Sequence, residues 1–360
     1  MWISKINLIN FRNYEKESIE LNKHINVFYG ENAQGKTNII ESIFLCSMGK
    51  SFRAKKDIEM IQLGKENASI EIFYEKSDRC GKIKIDIANK KNIYLNGIKL
   101  KKLSELLGNI NVVIFTPDDI HILKGGPQNR RRFLDIMISQ LKPNYMYNLN
   151  LYLKTIEERN HYLRQIREEN KLAELLDIWD EKLIEYANVI CAYRKTFIEK
   201  IQEKITNIHK EITDNKEKIK IIYQTDCADK EKYRQLLKER RKLDIIKGYT
   251  TKGIHRDDFN ITINDKDLST YGSQGQHRTT ILSLKMAELD IIYDEIGEYP
   301  ILLLDDFMSE LDEKRRKHLL EKIENIQVII TCTDKIKLEN KNILIYNVKD
   351  GKVRKENQEF

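Results

Sequence analysis

Tyr271-Gly272-Ser273-Gln274-Gly275-Gln276-His277-Arg278-Thr279-Thr280 is the stretch on which the fold turns. It is a loop of small and polar residues that opens onto Ile281, Leu282, Leu284, Met286, Ala287 and Leu289, an apolar run suited to a buried helix. A small-residue loop at a helix N-terminus turns backbone N–H groups toward an anion, and the helix dipole adds positive potential there. Taken alone, the same residues describe an ordinary polar helix cap. A second loop of this kind elsewhere in the chain makes the reading specific.

That second loop is Gly30-Glu31-Asn32-Ala33-Gln34-Gly35-Lys36-Thr37, a full match to G-x-x-x-x-G-K-[ST]. Ile25-Asn26-Val27-Phe28 before it reads as a buried strand, and Asn38 to Ile43 after it as a helix start. The glycines let the backbone curl so that several N–H groups point at one phosphate. Lys36 can reach the β- and γ-phosphates of ATP, and the Thr37 hydroxyl can ligate Mg²⁺. The third piece is Ile301-Leu302-Leu303-Leu304-Asp305-Asp306, an apolar strand ending in two carboxylates. Asp305 is expected to hold Mg²⁺, and Asp306 stands where a general base for the attacking water would sit. Lys36, Asp305 and Asp306 form the expected catalytic set. Two anion sites and one nucleotide per chain have a natural solution. Two subunits pair head to tail, and each Ser273 loop caps the γ-phosphate held by the other.

Ser273-Gln274-Gly275-Gln276 resembles the S-G-G-Q signature of ABC ATPases, and Ser309-Glu310-Leu311-Asp312 lies where those proteins carry the D-loop. Further stretches resemble the RecF family. They are Asn10 to Tyr14, Ser51-Phe52-Arg53, Phe115 to Asp119, Lys124 to Pro127, Arg130 to Asp135, Arg159-Asn160 and Gly253 to Asp258. They follow the family's order over nearly the whole chain. The resemblance implies an α/β fold, an ABC/SMC-like ATPase head with a strand-rich first lobe and an inserted helical second lobe lacking a long coiled coil. It implies an ATP-driven dimer that clamps DNA at gaps, with slow, DNA-stimulated hydrolysis releasing it. Partnership with RecR and RecO in promoting RecA loading is implied as well. It places Arg12 and Asn13 near the nucleotide, and Arg53 close to the active site or to DNA.

The chain departs from the wider ABC pattern in places. Asp306 replaces the usual Glu, one methylene shorter, which argues for a switch rather than a fast motor. Ile329 to Asp334 offers no switch histidine, with Thr333 or Asp334 as substitutes. No switch glutamine is placed after Phe115, and Ile254 stands where the family has Pro, which leaves the role of His255 open.

The composition agrees with a globular protein. Of 360 residues, 41% are hydrophobic and 33% charged. Basic residues number 63 against 56 acidic, a net charge of +7 that only mildly favours a polyanionic partner. The five cysteines are scattered with no C-x-x-C pair, as expected of reduced thiols in the cytoplasm. No apolar run reaches the roughly 18 residues needed to cross a bilayer, so a cytoplasmic, nucleoid-associated protein is expected.

Ile3 to Phe11, Ile25 to Phe28, Ser69 to Tyr74, Lys82 to Ile87 and Val112 to Phe115 read as strands. Asn96-Gly97 between two apolar triplets reads as a type I′ hairpin. No proline falls between Pro143 and Pro300, and apolar residues there recur at helical spacing from Leu149 to Ile166 and from Leu176 to Phe197. These predict an antiparallel helix pair, with a third helix over Asp229 to Leu243 and strands around Ile254 to Ile263 and Ile301 to Leu304. The expected lobes are 1–140 with 246–360, and 141–245. Arg130, Arg131 and Arg132, with Arg53, are the DNA candidates. Lys55-Lys56 and Lys99-Lys101-Lys102 are secondary ones. Such residues give phosphate contacts without sequence choice. The alternative, an ATPase subunit of another SMC-like nuclease or of a transporter, leaves Arg130 to Asp135 and Arg256 to Asp258 without a purpose.

Overall fold

The computed structural model describes residues 1–169, 171–335 and 342–356. The chain opens with β1 (Trp2–Phe11), β2 (Tyr14–Glu20), β3 (Ile25–Tyr29), α1 (Lys36–Met48), β4 (Ala68–Glu75), β5 (Cys80–Ile87), β6 (Lys91–Leu95), β7 (Ile98–Lys99) and β8 (Val112–Phe115). In β1, Ile3, Ile6, Leu8 and Phe11 are buried. The step from Ile3 to Ile6 breaks the two-residue period because the pairing with β4 shifts register between Ile3 and Lys5. An antiparallel sheet follows in the order β2-β1-β4-β5-β6-β7. The β6–β7 turn has Asn96 at φ 51° and Gly97 at φ 84°, the two positive values that a type I′ turn requires.

The chain continues through α2 (Ile120–Lys124), α3 (Pro127–Leu141), α4 (Pro143–Glu169), α5 (Leu176–Ile212), β9 (Ile219–Gln224), α6 (Lys230–Lys247), β10 (Asp258–Ile263), β11 (Lys266–Asp267) and α7 (Leu268–Tyr271). Tyr145 lies beside Tyr193 and Tyr162 beside Trp179, so α4 and α5 run antiparallel. The strand expected from Ile254 starts only at Asp258. Ile254–Arg256 is a 3₁₀ turn, because Arg256 N–H bonds back to Gly253 O. Last come α8 (Gln274–Ile296), β12 (Ile301–Asp305), α9 (Glu313–Lys322), β13 (Val328–Cys332), β14 (Ile343–Lys349) and β15 (Lys352–Glu356).

The chain divides into two compact units, Met1–Ile120 with Arg278–Phe360, and His121–His277. The insertion expected over 141–245 lies wholly inside the second unit. That unit extends further on both sides because α3 packs on α4 and α5, and β9 pairs with β10. In the first unit, β14, β3, β13, β12 and β8 form a parallel sheet with β15 antiparallel at its edge. β8, β12 and β13 are buried at every residue, which is why they read as continuous apolar runs. In open sheets of this kind, ligands sit at the carboxyl ends of the strands. Among the described residues all five cysteines are free thiols, and no helix is long and apolar enough to cross a membrane.

Candidate functional site

The loop Gly30–Thr37 leaves the carboxyl end of β3 and runs into α1. Its two framing glycines have no substitute. At Gly30 (φ 154°) a Cβ would lie 2.3 Å from Val348 O, and at Gly35 (φ 114°) 2.5 Å from the Asn13 amide. Asn13 Nδ2 donates to Gln34 O at 2.7 Å and Tyr14 Oη to Gly35 O at 3.0 Å, while Asp350 N–H donates to Gln34 Oε1 at 2.6 Å. The loop is thus braced from the β1–β2 turn and from the β14–β15 turn. Lys36 Nζ curls over it and donates to Gly30 O and Glu31 O, at 2.5 and 2.7 Å. Glu31, Asn32 and Ala33 are exposed at its crest.

Arg12 grips Glu41 of α1 with two hydrogen bonds of 2.9 and 2.7 Å, and Glu41 is fully buried. Ser51 also donates to Glu41, and Arg53 Nη1 donates to Asn38 Oδ1 at 3.2 Å, with Asn38 Nδ2 in turn on Asn13 Oδ1 at 2.9 Å. Asn10 to Tyr14 and Ser51 to Arg53 therefore meet around the first turns of α1.

At the end of β12, Asp305 Oδ1 accepts from Thr37 Oγ1 at 2.9 Å and from Thr331 Oγ1 at 2.8 Å. Burial raises the Asp305 carboxyl above its ordinary pKa, and these hydrogen bonds with the nearby Arg53 charge pull it back only in part. A buried carboxylate beside a hydroxyl suits a hard cation. Among the described residues no group of three or more His, Cys, Asp or Glu side chains is placed to hold a metal. A cation here must draw its other ligands from phosphate and water, which is the habit of Mg²⁺. Asp306 turns the chain with a left-handed backbone, φ 50°, and its N–H donates to Thr331 Oγ1 at 3.0 Å. That conformation is uncommon for a residue with a side chain, though Asp is one of the few that tolerate it.

Thr331 was not among the expected residues. The sequence points to Thr333 and Asp334 as substitutes for a switch histidine, whereas the hydroxyl that bridges both acids lies inside β13, two positions before Thr333. Its signal was present: one hydroxyl in the otherwise apolar run Val328–Cys332.

Of the D-loop residues, Ser309 and Glu310 belong to the 3₁₀ turn Phe307–Glu310, and their side chains lie outside the described residues. Leu311 is buried, and Asp312 caps α9 by accepting Arg315 N–H at 2.9 Å. Arg316 Nη2 donates to Met308 O and Leu311 O, at 3.2 and 3.3 Å.

In the second unit, Ser273 and Gln276 form a reciprocal cap at the start of α8. Ser273 Oγ accepts Gln276 N–H at 3.1 Å, and Gln276 Oε1 accepts Ser273 N–H at 2.9 Å. Ser273, Gln274 and Gly275 are exposed.

Arg130 makes a two-pronged pair with Asp258, at 2.6 and 2.9 Å, and Arg131 donates to Asp257 O at 2.6 Å. Both guanidinium groups hold α3 to the start of β10. Arg132 is exposed, as are Arg53, Lys55, Lys56, Lys99, Lys101 and Lys102. Motifs far apart in sequence meet inside this unit. Arg159, fully buried, donates to Asp180 at 2.7 Å and to Asp244 and Thr250 at 2.8 Å each. Asn160 Oδ1 accepts Thr250 N–H at 2.7 Å. Arg194, also buried, reaches Asp135 at 2.9 Å and Ile254 O at 2.8 Å.

His255 gains a role here. Its Nε2 faces Thr250 O at 3.1 Å, an acceptor only, so Nε2 carries the hydrogen and Nδ1 accepts from Tyr152 Oη at 2.8 Å. Burial, foremost, lowers its pKa to about 4. A histidine held neutral in the fold and protonated when unfolded costs stability as pH falls from about 6.5 toward 4. His255→Gln keeps a donor and an acceptor without titrating. Thermal melts across pH 7.5 to 4 should show the wild-type Tm falling more steeply than the variant's below pH about 6.5. Parallel curves would refute the assignment.

Comparison with known proteins defines the class first. The model of the RecF/RecN/SMC N terminal domain family matches residues 2–354, so the chain is an ATPase head of the ABC/SMC type. An Smc head domain from Pyrococcus yayanosii shares this fold at 15% identity and a TM-score of 0.58, covering 99% of this chain and 96% of that one. Within the class, the DNA replication and repair protein RecF of Acetivibrio thermocellus is 44% identical over 353 residues, 95% of this chain and 96% of its own. That of Clostridium tetani is 45% identical over 364 residues, 98% and 99%. A solved structure of the recombination mediator protein RecF-ATPrS in the RecFOR pathway superimposes with a TM-score of 0.93 at 40% identity, covering 98% of each chain. The chain belongs to the RecF family.

Proposed function

We propose that the chain binds ATP and hydrolyses it slowly, as a switch that closes two copies head to tail on DNA. The observation that carries this is the junction of Thr37, Asp305 and Thr331 beside the braced phosphate loop. A solved RecF-ATP structure at 40% identity supports the nucleotide assignment.

Gly30 to Thr37 would hold the phosphates, with Lys36 exchanging its two loop carbonyls for phosphate oxygens. Thr37 and Asp305 would hold Mg²⁺, which when bound neutralises the phosphate oxygens. Asp306 is the base that takes the proton of the attacking water. Its short side chain and hydrogen-bonded backbone limit how far it can reach, which suits slow turnover. The Ser273 hydroxyl of one subunit donates to the γ-phosphate held by the other, so ATP shifts the monomer–dimer equilibrium. Exposed Arg53 and Arg132, with the exposed lysines, supply DNA contacts of no sequence preference. Arg130 and Arg131 would contribute by holding α3 in place. By likeness to RecF of the RecFOR pathway, RecO and RecR are the partners, and RecA loading at single-/double-strand junctions the outcome.

The test is anisotropy of a labelled duplex titrated with the protein, with and without ATP and Mg²⁺. Binding is expected only with ATP, weakening as salt rises. Binding indifferent to ATP would sink the switch.

A further inference from the structure

The reciprocal cap at Ser273 and Gln276 depends on how the Gln276 amide is turned. Its oxygen must face Ser273 N–H and its nitrogen must face away, because the reverse sets donor against donor. The amide is nearly symmetric in shape, so packing alone does not choose between the two. A carboxylate does. Gln276 Nε2 donates to Glu217 Oε1 at 3.0 Å, from a residue 59 positions earlier in the chain. The second oxygen, Glu217 Oε2, lies 3.0 Å from Nε2 of His209. His209 is fully buried near the end of α5, and Glu217 lies in the loop between α5 and β9. A carboxylate only accepts, so it selects the nitrogen of Gln276 and the protonated Nε2 of His209.

We infer that Glu217, pinned by His209, is a positioning residue for the signature loop. With Gln276 turned this way, both backbone N–H groups of the cap are satisfied from within. The Ser273 oxygen is used as an acceptor by the cap, so its hydroxyl hydrogen can be given to a group that approaches the exposed loop. That is the donor an approaching phosphate needs. Without Glu217 the amide samples both orientations, and the cap is made only part of the time. The step from cap to phosphate rests on the head-to-tail pairing proposed above; the step from Glu217 to cap does not.

Two measurements on the full chain separate these steps. The first is amide hydrogen exchange, without nucleotide, over a peptide containing Ser273 and Gln276. Glu217→Ala should exchange about tenfold faster there, the worth of one hydrogen bond to a charged group. The isosteric Glu217→Gln, able to present its oxygen to Gln276, should recover most of the protection. The second is sedimentation with ATP and Mg²⁺. Glu217→Ala should need about tenfold more protein to dimerise, and its kcat should fall while the ATP affinity of dilute, monomeric protein is unchanged. Unchanged exchange in Glu217→Ala overturns the inference, as does normal dimerisation and turnover despite faster exchange. A wild-type chain that stays monomeric with ATP overturns the pairing instead, and the exchange result still judges Glu217.

Discussion

Lys36→Ala should bind ATP on the order of a hundredfold more weakly than the wild-type chain, as two charged hydrogen bonds to phosphate are lost together. The fold should hardly change. Among the described residues Lys36 Nζ bonds to Gly30 O and Glu31 O of its own loop, and the loop keeps its braces from Asn13, Tyr14 and Asp350. Calorimetric titration with ATP and Mg²⁺ measures the affinity, and a melt without nucleotide checks the fold. Dimerisation and duplex binding should disappear at ATP concentrations that saturate the wild type. Retained affinity would mean that the nucleotide sits elsewhere.

Arg159→Met should cost the second unit about 3–5 kcal/mol, because it strips a buried cation from Asp180 and Asp244. That corresponds to a fall in Tm on the order of 10 °C. The loss comes from carboxylates left behind more than from the pair itself. Adding Asp244→Leu to Arg159→Met should therefore recover part of the stability. A double variant less stable than the single one would contradict this. ATP affinity should be unaffected in either case, since none of the residues proposed to hold the nucleotide belongs to this cluster. The two variants thus separate a site residue from a structural one among motifs that sequence resemblance treats alike.

That separation marks where the sequence ceased to be legible. The loop before α1, the strand ending at Asp305 and the turn that starts α8 are legible in sequence because each needs fixed residue types at fixed spacing. The paired helices were readable from their apolar period, yet Arg159, Asp180 and Arg194 lie on the same buried faces as Leu163, Leu183 and Phe197. A charge on a core face contradicts the period unless its partner is known, and Asp244 and Asp257 come from distant segments. Arg130 and Arg131 looked like a basic patch for the same reason: Asp258, which pairs Arg130, lies 128 positions away. β2 carries little sequence signal because it is an edge strand, in which only Tyr14 and Ile19 are buried. The importance of Thr331 depends on β13 lying between β3 and β12, an order that spacing along the chain does not reveal.

The same strand order bears on how the protein is made. β3, which carries the phosphate loop, is flanked by β13 and β14, both from the final part of the chain. The first residues are tied there too, since Ile3 N–H and Ile3 O bond to the side chain of Gln327, at 2.7 Å each. Synthesis runs from the N-terminus, so β3 leaves the ribosome with neither neighbour in existence. It stays a bare edge, prone to stray pairing, while some three hundred residues are translated. The second unit can fold during that interval from contacts within its own stretch. The parallel sheet around β3 is thus completed only once Val328–Cys332 and Ile343–Lys349 have been made, and a ribosome stalled before Val328 would hold the Gly30–Thr37 loop on a strand with neither of its neighbours.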